Sequence, residues 1–116
     1  MRRERLYLAD MLEACEDIAE FVSGIDYEEF ARNKLVRSAS LQKLIVIGEA
    51  AARLPVEFTR RYDDVEWSEI AAFRNRLVHG YFNVEWQIVW TAATEEVPLL
   101  RKQLVAIAKL EQDNCS

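Results

Sequence analysis

Three glycines and two prolines are all that punctuate this 116-residue sequence. Those residues make hairpins and tight loops, so a chain this poor in them has few places to reverse direction. Its apolar residues also recur by threes and fours. From Leu8, the residues Met11, Leu12, Cys15, Ile18, Ala19 and Val22 follow helical spacing. Gly24 then stands where a helix C-terminus favours a left-handed residue. Asp26 with Glu29 three positions on is a capping-box variant, a carboxylate placed to accept from the first free N–H groups of a helix. The helical pattern continues to Pro55, long for one straight helix in a small domain, and predicts a break or bend near residues 33–37. Residues 55–62 read as one or two short turns, with Pro55 allowed at a helix start. A third substantial helix is expected from about Glu66 to Gly80. Asn83 is expected to cap the last helix, which Pro98 should kink by removing an N–H and crowding the preceding turn. No repeat, low-complexity segment or linker interrupts the chain. The expected fold is an all-α bundle, a single domain over residues 1–116.

Hydrophobic residues make up 51% of the chain and charged ones 30%, which fits a soluble globule rather than a disordered segment. A net charge of −5 argues against broad electrostatic binding to nucleic acid and leaves room for a local basic site. Cys15 and Cys115 match no metal or redox spacing, and both read as reduced thiols in a cytosolic protein. Acidic residues soon interrupt the basic N-terminus, leaving neither a signal-peptide core nor a membrane span. The expected location is the cytoplasm. At this size a dimer would help bury surface.

The only histidine, His79, lies in the stretch AFRNRLVHGYFN, after Arg74 and Arg76 and before Tyr81. At about 100° per residue, Arg74 and His79 would point about 140° apart on an ideal helix. They converge only if the helix loosens before His79, and Gly80 offers a place for that. Arg76, three residues from His79, would share its face without help. A histidine near its ordinary pKa can serve as general acid or base, and an arginine can hold a phosphate and stabilise a phosphorane. That set suits metal-free cleavage of RNA by 2′-OH attack. The reaction profits from both an acid and a base, so a single histidine calls for a symmetric dimer with two copies across the axis. Spacing alone favours the plainer reading, a helix-terminal histidine favourable to the dipole, with the arginines solvated. One histidine rules out a His-rich metal site. No CxxC, HExxH or P-loop is present.

Elsewhere, Gly48 inside an apolar run is expected to permit a close helix–helix approach. Glu49 beside it is a candidate to pair with and orient an arginine of the cluster, or else points to solvent. Trp67, Trp86 and Trp90 read as core or interface residues rather than a base-stacking platform. Arg53, Arg60 and Arg61 either extend an RNA path or are surface charge.

Taken together, IGEAAARLP, WSEIAAFRNRLVHGYF and VEWQIVW resemble the HepT-like branch of the HEPN domains over nearly the whole chain. The family motif, Arg-x4-His-x-Tyr, is intact as Arg74-Asn75-Arg76-Leu77-Val78-His79-Gly80-Tyr81. The resemblance implies a small four- to five-helix bundle that dimerises through its helices. It also implies a metal-independent endoribonuclease toxin, needing no cofactor, whose site forms across the dimer with Arg74 and His79 as the catalytic pair. Asn75, Arg76 and Glu49 would support that pair. The implied partner is a minimal nucleotidyltransferase antitoxin, which would place AMP on Tyr81. The alternative is a non-catalytic HEPN dimer that binds a nucleotide or docks its nucleotidyltransferase.

Overall fold

Leu8, Met11, Ala14, Cys15 and Ile18 form the buried face of the first helix, α1 (Arg2–Val22), in the computed structural model, which describes residues 2–79 and 83–114. Ala19, read into the same stripe, is exposed. Past the end of α1, Gly24 takes φ +75°, the left-handed conformation that favours glycine. The capping box forms as expected. The Asp26 carboxylate accepts from the Glu29 N–H at 2.9 Å, and the Glu29 carboxylate accepts from the Asp26 N–H at 3.1 Å.

The break expected near residues 33–37 falls at Asn33. That residue closes α2 (Tyr27–Arg32) with its backbone and opens α3 (Lys34–Arg53) with its side chain, which accepts from the Val36 N–H at 3.1 Å. Pro55 precedes a short helix, α4 (Val56–Arg61). The third long helix differs from expectation. It is split at Phe73 into α5 (Trp67–Ala72) and the single turn α6 (Arg74–Leu77). It then stops at Leu77, short of Gly80, because the chain passes into a two-residue strand, β1 (Val78–His79), antiparallel to β2 (Asn83–Val84). Asn83 is therefore a strand residue and not the cap of the last helix. The cap position of α7 (Trp86–Thr91) is Glu85, whose side chain makes no capping bond.

Pro98 does not simply kink the last helix. Between α7 and α8 (Val97–Asn114) lies a π-helical turn, Ala92–Glu96, across which the Val97 N–H reaches the Ala92 carbonyl. A proline at 98 cannot donate to the carbonyl four residues back, and the wider turn carries the chain past that missing bond. The class is all-α. Its four rods are α1, α2–α3, α5–α6 and α7–α8, with α4 as a short fifth helix.

Helix α1 packs against α3 and α8, and α3 carries α5 on its other side. Leu44, Ile47, Ala50 and Ala51 of α3, Leu54 just past its end, and Leu100, Leu104 and Ile107 of α8 complete one core cluster with α1. Each fully buried side chain such as Met11, Ile18 or Leu104 contributes about 1.5–3 kcal/mol through burial. Cys15 is part of this packing, and burial pushes its thiol pKa up to about 12. It is no reactive thiol. Gly48 lets α3 and α5 approach closely: a β-carbon there would lie 3.2 Å from the Ile70 carbonyl oxygen and 3.7 Å from that of Ala71.

At the far end of α8, Glu111 is buried and accepts from the Tyr62 hydroxyl and, at 2.9 Å, from Arg61 Nη1. Burial alone would raise the Glu111 pKa, but the hydrogen bonds from Tyr62 and Arg61 outweigh it and hold the carboxyl below its ordinary value. The cluster joins α4 and the turn after it to the end of α8.

Two outcomes follow from this packing. Gly48→Val should destabilise the fold by about 1–3 kcal/mol in urea denaturation, because its methyl groups must displace the α5 backbone. Tyr62→Phe should cost about 1–2 kcal/mol at neutral pH by removing a bond to a charged acceptor. A folded-state pKa lowered at Glu111 means stability present above the unfolded carboxylate pKa and lost as pH falls through the folded one. The gap between wild type and Tyr62→Phe should therefore narrow on acidification, as measured by denaturation across pH 3–7.

Candidate functional site

Four features place the backbone of the Arg74–His79 segment. Trp67, buried at the start of α5, donates from its indole Nε1 to the Tyr62 carbonyl at 2.9 Å and fixes the approach of the helix. Gly48 then lets α5 lie against α3. Leu77, fully buried, anchors the end of α6. Beyond it, the Glu85 N–H donates to the Leu77 carbonyl at 2.7 Å, Val78 opposes Val84, and His79 opposes Asn83.

This geometry meets the condition set by the angular argument. An unbroken helix would keep Arg74 and His79 about 140° apart, and the helix ends two residues before the histidine. It also removes the advantage expected for Arg76, because three-residue spacing shares a face only within a helix. Arg76 is exposed and lays its guanidinium 4.7 Å from the centre of the Phe73 ring. For Arg74 and His79 the described part is the backbone. Gly80 and Tyr81 lie outside the described residues. Asn75 is exposed on α6, and Glu49 is exposed on α3 beside Gly48.

Next to this segment runs a cleft of about 240 Å³ between α3, α5 and α8. Leu44, Ile47, Ile70, Phe73, Val97 and Leu100 make its apolar floor. Leu99 stands at its edge, 65% exposed. Glu66, Glu69, Glu96 and Arg76 also line it. Glu66 and Glu69 are close enough that the hydrogen bond a protonated Glu66 donates to the Glu69 carboxylate, then the charge of Glu69, raises the Glu66 pKa.

The remaining candidates separate cleanly. Trp67 is buried against Phe58, and Trp86 and Trp90 pack around Phe30, so all three tryptophans serve packing. Of the basic set near Pro55, Arg61 is tied to Glu111, while Arg53 and Arg60 are exposed. Sequence reasoning did not single out Arg37, which stacks on Trp86, or the Glu66–Glu69 pair. The latter was visible as two carboxylates one turn apart. Among the described residues no three His, Cys, Asp or Glu side chains come together as a metal-ligand set. None of the described helices is long and apolar enough to cross a membrane.

Residues 11–107 match the family described as Ribonuclease HepT-like. The chain is 38% identical to "Putative RNase TTE0752" of Caldanaerobacter subterraneus subsp. tengcongensis, over 97% of this chain and all of the relative. It is 36% identical to "Putative RNase MJ1380" of Methanocaldococcus jannaschii, over 89% of this chain and 94% of the relative. It is 34% identical to "Probable ribonuclease HepT" of Thermococcus cleftensis, over 93% and 98% respectively. No solved structure matches it. With the motif segment held at a broken helix end and the match running through almost the whole fold, the chain belongs to the HepT-like ribonuclease family.

Proposed function

We propose that this protein is a metal-independent endoribonuclease acting as a homodimer, the toxin of a toxin–antitoxin pair in the cytoplasm. The observation that carries the reading is the end of α6 at Leu77, before His79, in a chain with one histidine and an intact Arg-x4-His-x-Tyr motif. Family membership supports it. In this mechanism one His79 takes the proton of the RNA 2′-OH as that oxygen attacks the adjacent phosphorus. Arg74 stabilises the charge of the pentavalent phosphate. The second copy's histidine, protonated, gives its proton to the departing 5′-oxygen. The products are a 2′,3′-cyclic phosphate and a 5′-hydroxyl. Asn75, Arg76 and Glu49 support the pair from α6 and α3.

Tyr81, one residue past Gly80, positions RNA and is the site at which a minimal nucleotidyltransferase antitoxin transfers AMP from ATP, releasing pyrophosphate. An adduct there brings a negative phosphate beside Arg74 and His79 and fills the place of the substrate phosphate. With a net charge of −5, the protein relies on this local site rather than on a broad basic surface.

The second copy docks on the α3–α5–α8 cleft. Among the described residues the cleft is lined by the cation Arg76 and the carboxylates of Glu66, Glu69 and Glu96. A twofold axis brings the arginine of each copy to the acidic rim of the other and covers Leu99. Because Phe73 and Arg76 of the cleft flank Arg74 in sequence, this docking brings the two motifs together. Leu99→Asp should therefore yield a monomer by light scattering, with helical circular dichroism unchanged and cleavage lost. A Leu99→Asp dimer would place the interface elsewhere.

Cleavage itself is tested with purified wild type and His79→Ala in EDTA, reading the product ends. Wild type should leave 2′,3′-cyclic phosphate, and the variant should be slower by about 10²–10⁴-fold. Equal rates for the two proteins would favour a HEPN dimer that docks its nucleotidyltransferase without cutting RNA.

A further inference from the structure

Arg37 ties together three elements. It projects from α3, its Nη1 donates to the Ala31 carbonyl of α2 at 2.7 Å, and its guanidinium lies 4.7 Å from the centre of the Trp86 ring at the start of α7. The side chain is half-buried, and its Nε is buried with no hydrogen-bond partner among the described residues. An unmade bond on a buried cation is unfavourable. An apolar side chain would pack on the indole without that penalty. What arginine adds is a flat charged face on the ring together with a donor that reaches α2. The Phe30 ring meets Trp86 edge-on at 6.4 Å, so the indole is held by α2 and α3 together.

Trp86 follows directly on the motif hairpin. The preceding residue, Glu85, donates its N–H to the Leu77 carbonyl at 2.7 Å. Val84 and Asn83 are the strand partners of Val78 and His79. A shift of the indole thus passes through three backbone residues to the segment that carries the histidine. We infer that Arg37 is a positioning residue for the motif: by clamping Trp86 it fixes β2, and through β2 the backbone of His79. The inference rests on the ribonuclease reading for its consequence in catalysis, but the clamp is measurable without it.

The test compares wild type with Arg37→Met, which keeps the stem and loses the fork, and Arg37→Lys, which keeps the charge and loses the flat face. The chain has one histidine, so a single imidazole signal and the amide signals of Val78, His79, Asn83 and Val84 report the hairpin by NMR, well below the melting temperature. In Arg37→Met those signals should move and the four amides should exchange faster. In a cleavage assay kcat should fall about tenfold to a hundredfold with KM nearly unchanged, the mark of lost alignment. Arg37→Lys should lie between the two, and it carries the test if Arg37→Met does not fold. Unmoved hairpin and imidazole signals in a folded variant, with only the melting temperature lowered, would overturn the clamp. A wild type that cuts no RNA but shows the NMR changes on substitution would leave the clamp standing and remove the ribonuclease reading instead.

Discussion

The missing β-carbon at Gly48 sets the distance on which the candidate site depends. With an Ile70 carbonyl 3.2 Å from where that carbon would be, α5 lies against α3 at backbone contact. Everything downstream is built out from that contact: Phe73, Leu77 as the buried anchor, then the strand that carries His79. A helix held further off would still bury Trp67, but it would bring Leu77 to a different depth and the β pair to a different place. Glycine in a helix interior is unfavourable by about 1 kcal/mol relative to alanine. In this fold that deficit accompanies a close approach that no other residue permits without displacement.

The second organising feature is where charge is spent. Arg61 is consumed by Glu111 and Tyr62 in joining α4 to α8. Lys43 pairs with Asp17 at 3.1 Å and Arg101 with Glu16 at 3.2 Å, bonds between helices on the surface that contribute little to stability. Arg37 is committed to Trp86 and Ala31. These four cations are committed to contacts within the fold, and the net charge of −5 argues against indiscriminate binding to nucleic acid. The proposed RNA site therefore rests on a few groups of the motif segment rather than on a broad basic face.

Much of this was legible in the sequence. Capping at Asp26 and Glu29, the break at Asn33 and the role of Gly48 depend on local chemistry or on one side chain, and they were readable in advance. The helix end at Leu77 was not, because "RNRLVH" has a sound helical pattern. What stops it is a tertiary hydrogen bond, the Glu85 N–H reaching the Leu77 carbonyl, and the pairing of His79 with Asn83. Asn83 has the chemistry of a cap, and the same pairing places it in a strand. Pro98 announced a disturbance, but a π turn or a kink would satisfy it equally on paper. Arg37 was invisible for a different reason: its partners, Ala31 and Trp86, become neighbours only when α2, α3 and α7 assemble. His79 and the arginines near it stand out in the chain alone, whereas the choice of Arg74 over Arg76 comes only with the family resemblance.

The central claim is that two histidines, one from each copy, act in a single cleavage event. It is tested most directly by mixing. Wild type and His79→Ala are unfolded together in varied proportion, refolded so that subunits assort at random, and assayed for RNA cleavage. If both histidines are needed at one site, activity follows the square of the wild-type fraction, about a quarter of full activity at equal mixing. Activity that falls in simple proportion to the wild-type fraction would contradict the shared site and assign the chemistry to one subunit acting alone.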